Sequence, residues 1–150
     1  MKHQIDNLEL AKCTQCAGWN LRKATRAITQ LYDKALRPTG LRATQFNLFV
    51  AIRMFGSVTV TRLAKMAVMD RTTLTRNLKP LEKQGLVKVT PGKDRRMKVV
   101  TLTEKGNETL IKALPIWKET QARVIEELGQ ERWSSMLTDL SEMVTLTRRK

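Results

Sequence analysis

Between Thr59 and Thr103 the apolar spacing switches from helical to strand-like, and this switch restricts the folds open to the chain. Thr59 precedes Val60, Leu63, Ala64 and Ala67, a spacing of three and four that predicts a short helix with a threonine N-cap. Val68 and Met69 read as a turn. Asp70 then caps a second helix, where its charge also complements the positive dipole end. Leu74, Leu78 and Leu81 turn one face of this helix inward and leave Arg71, Thr72, Thr75, Arg76 and Lys79 outward. Pro80 withholds one backbone donor and predicts a bend or loosening between Arg76 and Pro80. Leu86–Thr90 and Met97–Leu102 are rich in Val, Thr and Leu, and Pro91-Gly92 punctuates them as a hairpin. An isolated hairpin is marginal, so this one must lean on the helices. The order of these parts is that of a winged helix-turn-helix.

Charge gives this region a partner. The 150 residues carry 28 Lys and Arg against 14 Asp and Glu, a formal net charge of +14. Nine of the cations and only Glu82 and Asp94 of the acids lie from Arg71 to Lys98, so half of the net charge sits there. They occupy two different elements, which argues against a merely solvated helix face and for a polyanion such as nucleic acid. No apolar run approaches the roughly 18 to 20 residues of a spanning helix, and Met1–Ala11 lacks a signal peptide's apolar stretch. The expectation is a soluble, cytoplasmic protein with no membrane partner.

The residue types suit double-stranded DNA. Arginine forks onto guanine O6 and N7, and threonine offers a hydroxyl and a methyl. Arg76 and Thr72 are the first candidates for base contact, with Thr73 and Thr75 beside them, while Arg71 and Lys79 suit phosphates. The hairpin tip, with Lys93, Arg95, Arg96 and Lys98, suits flanking phosphates or a narrow minor groove. Asp94 has two readings, orienting Arg96 through an ion pair or serving as an ordinary turn residue.

Both ends of the chain read as helical. Leu21, Ala24, Ile28, Leu31 and Ala35 form a seam from about Trp19 to Leu36, which Pro38 and Gly40 stop. A helix from Thr44 to Met54 turns Phe46, Phe49, Val50 and Ile52 mostly inward, and Gly56 closes it. Thr103 caps a long helix with Leu110, Ile111, Leu114, Trp117, Val124, Ile125 and Leu128 on its apolar side, and Pro115 predicts a kink. Beyond Gly129, Trp133, Leu137, Leu140 and Val144 repeat at four, three and four. Such seams suit either helix pairing between two copies or an intramolecular bundle.

The runs Asp70-Arg71-Thr72-Thr73-Leu74-Thr75-Arg76, Leu81-Glu82-Lys83-Gln84-Gly85-Leu86-Val87, Asp94-Arg95-Arg96 and Leu102-Thr103-Glu104-Lys105-Gly106 together resemble the MarR family of bacterial transcription regulators. Asp94 and Arg96 fall on the family's Asp-x-Arg wing signature. The resemblance implies a mainly α fold with a small β-hairpin wing: a winged helix-turn-helix plus a helical dimerisation region. On this reading residues 1–36 are an N-terminal dimerisation region, 43–103 the DNA-binding domain and 104–150 a C-terminal dimerisation region. It further implies a homodimer that represses from a palindromic promoter site and is released by a small aromatic ligand or by thiol oxidation. Trp19, Arg22 and Arg26 are the candidate effector contacts, a ring and two cations for an aromatic carboxylate.

Cys13 and Cys16 are the only cysteines, too few for a secreted disulfide framework. Three apart on a helix, they would share a face as a candidate redox pair. Two other roles stay open: a metal site shared across a dimer with His3, and service as small apolar residues. A Cys-x-x-Cys oxidoreductase normally lies near a βαβ pattern, which is missing around Cys13. With no Gly-rich phosphate loop, nucleophile elbow or paired-His motif either, no enzyme, cofactor or resident metal is expected. The non-enzymatic alternative is an architectural DNA-binder indifferent to sequence.

Overall fold

Polar side chains at helix starts, and residues in the left-handed conformation between helices, divide the chain into its elements. The computed structural model describes residues 5–146. In chain order they form α1 (Asn7–Cys13), α2 (Ala17–Leu36), a 3-10 turn (Arg37–Thr39), α3 (Ala43–Phe55), β1 (Val58–Thr59), α4 (Val60–Met66) and α5 (Arg71–Lys83). Next come β2 (Val87–Pro91), β3 (Lys98–Leu102), α6 (Glu104–Leu128) and α7 (Gln130–Leu146). The fold is mainly helical with a three-stranded antiparallel sheet, as expected of a winged helix-turn-helix with helical flanks.

The three caps read from the sequence are formed. Thr59 Oγ1 accepts the Arg62 amide at 3.1 Å, Asp70 Oδ1 the Thr73 amide at 2.8 Å, and Thr103 Oγ1 the Gly106 amide at 3.0 Å. Each satisfies a first-turn donor that the helix itself leaves unpaired. At the start of α3 the cap comes instead from α2, whose Asp33 carboxylate accepts the Ala43 amide at 2.7 Å. Pro80 and Pro115 interrupt neither α5 nor α6; each helix is continuous through its proline.

One core joins the middle of the chain. Leu36, Phe49, Ile52, Leu63, Leu74, Leu81 and Val100 are fully buried, from α2, α3, α4, α5 and β3. Burial of each such side chain contributes about 1.5–3 kcal/mol. Leu48 is buried on α3, whereas Val50 only packs partly against the cluster. Phe46 stacks on Trp117 with ring centroids 5.6 Å apart, which fastens α3 to α6. Strand β3 lies between β1 and β2, so Val100 faces both Val58 and Val89 in register. The sequence announced the hairpin but not β1, whose two residues depend on this long-range pairing.

The outer helices bury much less. Within α2 the buried residues are Tyr32 and Leu36, while Ile28 and Leu31 of the expected seam are exposed. The Tyr32 hydroxyl donates to Gln121 on α6, and burial pushes the phenol's pKa above its ordinary value, so it stays a donor. Helices α1 and α7 bury no residue completely.

Candidate nucleic-acid interface

Helix α5 presents one apolar and one polar face because Leu74, Leu78 and Leu81 repeat at four and three. All three are buried. Opposite them Arg71, Thr72, Thr75, Arg76 and Lys79 are exposed and together line one shallow depression. Thr73 is half-buried and otherwise engaged: its hydroxyl donates to Asp70 Oδ2 at 2.6 Å, so it serves the cap. That hydroxyl, followed by the Thr73 amide, holds the Asp70 carboxyl below its ordinary pKa. The cap therefore fixes an anion at the start of the helix without occupying its outward face.

The turn before Asp70 is strained. Val68 has φ of +53°, a left-handed conformation that β-branched residues rarely adopt. It closes a local turn at the end of α4: the Met69 amide reaches back to the Ala64 carbonyl at 2.9 Å, between the buried Leu63 and Leu74.

The hairpin tip closes through Gly92, whose amide donates to the Met97 carbonyl at 2.6 Å, and through Met97, whose amide donates to Asp94 O at 2.9 Å. Lys93, Arg95, Arg96 and Lys98 are all exposed. Asp94 Oδ1 accepts the Arg96 backbone amide at 3.0 Å. Of its two readings the turn role is therefore the one formed; the carboxylate orders the loop backbone and makes no ion pair with the Arg96 guanidinium. None of the seven candidate cations on α5 and the tip pairs with an acidic side chain among the described residues. Glu82 on α5 accepts the Val89 amide of β2 at 3.4 Å, which links helix and wing.

Residues 39–97, from the 3-10 turn to the wing tip, match the sequence profile of the MarR family. The chain is also 40% identical to the Mycobacterium tuberculosis transcriptional regulator MosR, solved in complex with DNA, over 89% of this chain and 98% of that one, with a TM-score of 0.79. This chain belongs to the MarR family of transcription regulators. Another MarR-family regulator, AbsC of Streptomyces coelicolor, shares the fold with a TM-score of 0.79 at 24% identity, covering 99% of this chain and 100% of that one. An HTH-type transcriptional regulator of Bacillus cereus is 28% identical over 120 residues, 80% of either protein. One from Bacillus subtilis is 29% identical over 88 residues, 59% of this chain and 64% of the relative's length. MarR-family membership and these relatives make the chain a transcription regulator rather than an enzyme. No helix among the described residues is long and apolar enough to cross a membrane.

Within this MarR-family chain the cysteines are not on one helix, which corrects the shared-face reading. Cys13 ends α1 and Cys16 is the N-cap of α2, with a turn between them. Asn20 reaches back to this turn: its side-chain amide donates to the Thr14 and Cys16 carbonyls at 2.8 and 3.0 Å. Both thiols are free and exposed. His3, the third member of the suggested metal set, lies outside the described residues. Trp19, Arg22 and Arg26 are exposed on the first turns of α2, so Trp19 is not a core residue within the single chain. None of the three lines the cleft between α2 and α6, which is formed by Ile28, Leu31, Thr120, Arg123, Val124, Glu127 and Leu128.

Proposed function

We propose that the protein is a homodimeric repressor that reads a palindromic promoter site. The observation that carries this reading is an exposed cationic face on α5 together with an exposed cationic wing tip, none of whose cations pairs with an acidic side chain among the described residues. The DNA complex of MosR supports DNA as the partner. In this reading Arg76 and Thr72 touch bases, Thr75 lies beside them, and Arg71, Lys79, Lys93, Arg95, Arg96 and Lys98 hold phosphates or the minor groove. Thr73 acts through the cap.

The exposed apolar residues support a dimer. Ile28, Leu31, Ile111, Leu114, Leu137, Leu140, Met143 and Val144 all lie on α2, α6 and α7, outside the winged portion. Large exposed apolar faces mark association surfaces. Residues 1–36 and 104–150 are assigned to pairing on this basis, and 43–103 to DNA. A two-fold pair would set the recognition helices about 34–36 Å apart, one turn of DNA.

Release follows one of two routes. In the first, a peroxide takes two electrons and two protons from Cys13 and Cys16 and leaves a disulfide. The Cys16 amide bonds the Cys13 carbonyl at 3.1 Å, a turn geometry that brings the α-carbons within about 7 Å, near disulfide reach. In the second, an aromatic carboxylate engages Trp19, Arg22 and Arg26. Competition between a selected duplex and random DNA tests the main reading. A regulator keeps a large preference for its own site, whereas an architectural protein shows none and loses nearly all binding as salt rises. Oxidant-induced release that persists in Cys13→Ser and Cys16→Ser would eliminate the thiol route.

A further inference from the structure

The carboxyl end of α5 meets the amino end of α6, and three successive carbonyls there are taken by two residues. Lys105 Nζ donates to Gln84 O at 2.9 Å, the Thr103 hydroxyl donates to Gly85 O at 2.6 Å, and the Thr103 amide donates to Leu86 O at 3.2 Å. Thr103 also caps α6, so its hydroxyl is used both as donor and as acceptor. Gly106 completes the joint. It is buried, and a Cβ there would overlap the Leu86 carbonyl oxygen, so only glycine permits this approach. The joint also sets the positive end of one helix dipole against the negative end of the other.

We propose that Thr103 and Lys105 are positioning residues that clamp the recognition helix to α6 and thereby fix the distance between the two reading heads. This rests on the two-headed DNA-binding dimer of the preceding section. Helix α6 has 25 residues and is therefore about 37 Å long. It carries exposed Ile111 and Leu114, part of the surface assigned to pairing. A rotation of about 5° at its far end moves the joint by about 3 Å, close to the spacing of one base step. With the three carbonyls clamped, α5 follows that displacement as one body. Without the side-chain ties the shared core and the Thr103 amide alone hold the head to α6, so it tilts further and meets differently spaced half-sites.

The test pairs Thr103→Asp with Lys105→Met in the full chain. Aspartate retains the α6 cap but cannot donate to Gly85 O, and methionine keeps the length of lysine without its donor. A preferred duplex is selected from a random pool, and its half-sites are then moved apart or together by one base pair. The wild type is expected to lose at least about 30-fold in affinity on respacing, and the double variant no more than about 5-fold. Affinity for a single half-site should stay within about 2-fold, with dimer mass unchanged. Thr103→Ser/Lys105→Arg, which keeps both donors, should restore the wild-type discrimination. A double variant as strict about spacing as the wild type overturns the clamp. A wild type with no preferred spacing overturns the two-headed reading and the clamp together.

Discussion

Truncating the apolar seam of α7 with Leu137→Ala/Leu140→Ala should weaken self-association without unfolding the chain. The two side chains are 45% and 36% exposed in the single subunit, so about two-fifths of each remains to be covered. At about 1.5–3 kcal/mol for a whole leucine, covering the rest contributes about 0.6–1.2 kcal/mol per side chain. An isologous pair counts each residue twice. Because alanine keeps one carbon of the side chain, the double variant forfeits about 2–4 kcal/mol, a 30- to 700-fold rise in the dimer dissociation constant. Alanine is also the strongest helix former, so α7 itself should persist. Sedimentation equilibrium over a concentration series measures the constant, and far-ultraviolet circular dichroism checks the helices. Identical constants for variant and wild type would refute the assignment of this face to pairing, as would a wild type that stays a single chain at every concentration.

On the DNA face, Arg76→Ala should cost about 1–3 kcal/mol on the selected site and relax preference at one base position, while Lys79→Ala weakens all duplexes alike; equal losses on selected and random DNA for Arg76→Ala would remove it from base reading. Asp70 has a folded-state pKa below its unfolded value near 4, so its cap contributes in full above that value and is lost as pH falls through the depressed one. Urea unfolding midpoints should therefore fall more steeply with acid in the wild type than in Asp70→Asn, and parallel curves would deny the cap this role. Val68→Gly relieves a left-handed cost of about 1–2 kcal/mol against a glycine entropy penalty of about 0.5–1, so unfolding free energy should rise by up to about 1.5 kcal/mol. A loss of stability in that variant would mean that the exposed valine side chain contributes packing that outweighs its backbone strain.

The parts of the fold legible in the sequence are those set by neighbours a few residues apart. Thr59, Asp70 and Thr103 each act on an amide three residues on, so a cap and the leucine spacing behind it sufficed to place α4, α5 and α6. The parts missed depend on distant groups. Strand β1 exists only through β3, and α1 is a seven-residue helix with no buried side chain to give it a pattern. Nothing in Cys-Thr-Gln-Cys breaks a helix by propensity alone; the turn is held by Asn20, from the next helix, which takes two of its carbonyls. For the candidate interface, leucine periodicity separated the outward residues of α5 correctly, but it could not show that the Thr73 hydroxyl is consumed by Asp70 or that Asp94 holds an amide. Lys105 enters the sequence reading only as part of the Leu102–Gly106 run, because an exposed lysine in a first turn shows no bonding role until the carbonyl of Gln84 is found beside it.

The central position of β3 also bears on how such proteins can diversify. Hydrogen bonds on both of its edges tie the wing to the segment that leads into α4, so the base of the wing cannot swing away from the helices it flanks. Residues 93–96, inside the Gly92–Met97 hydrogen bond, are exempt from that register. Loop length and charge can therefore change at the tip while the seating of α5 is preserved, and one scaffold can probe the DNA backbone at different depths through insertions confined to four positions.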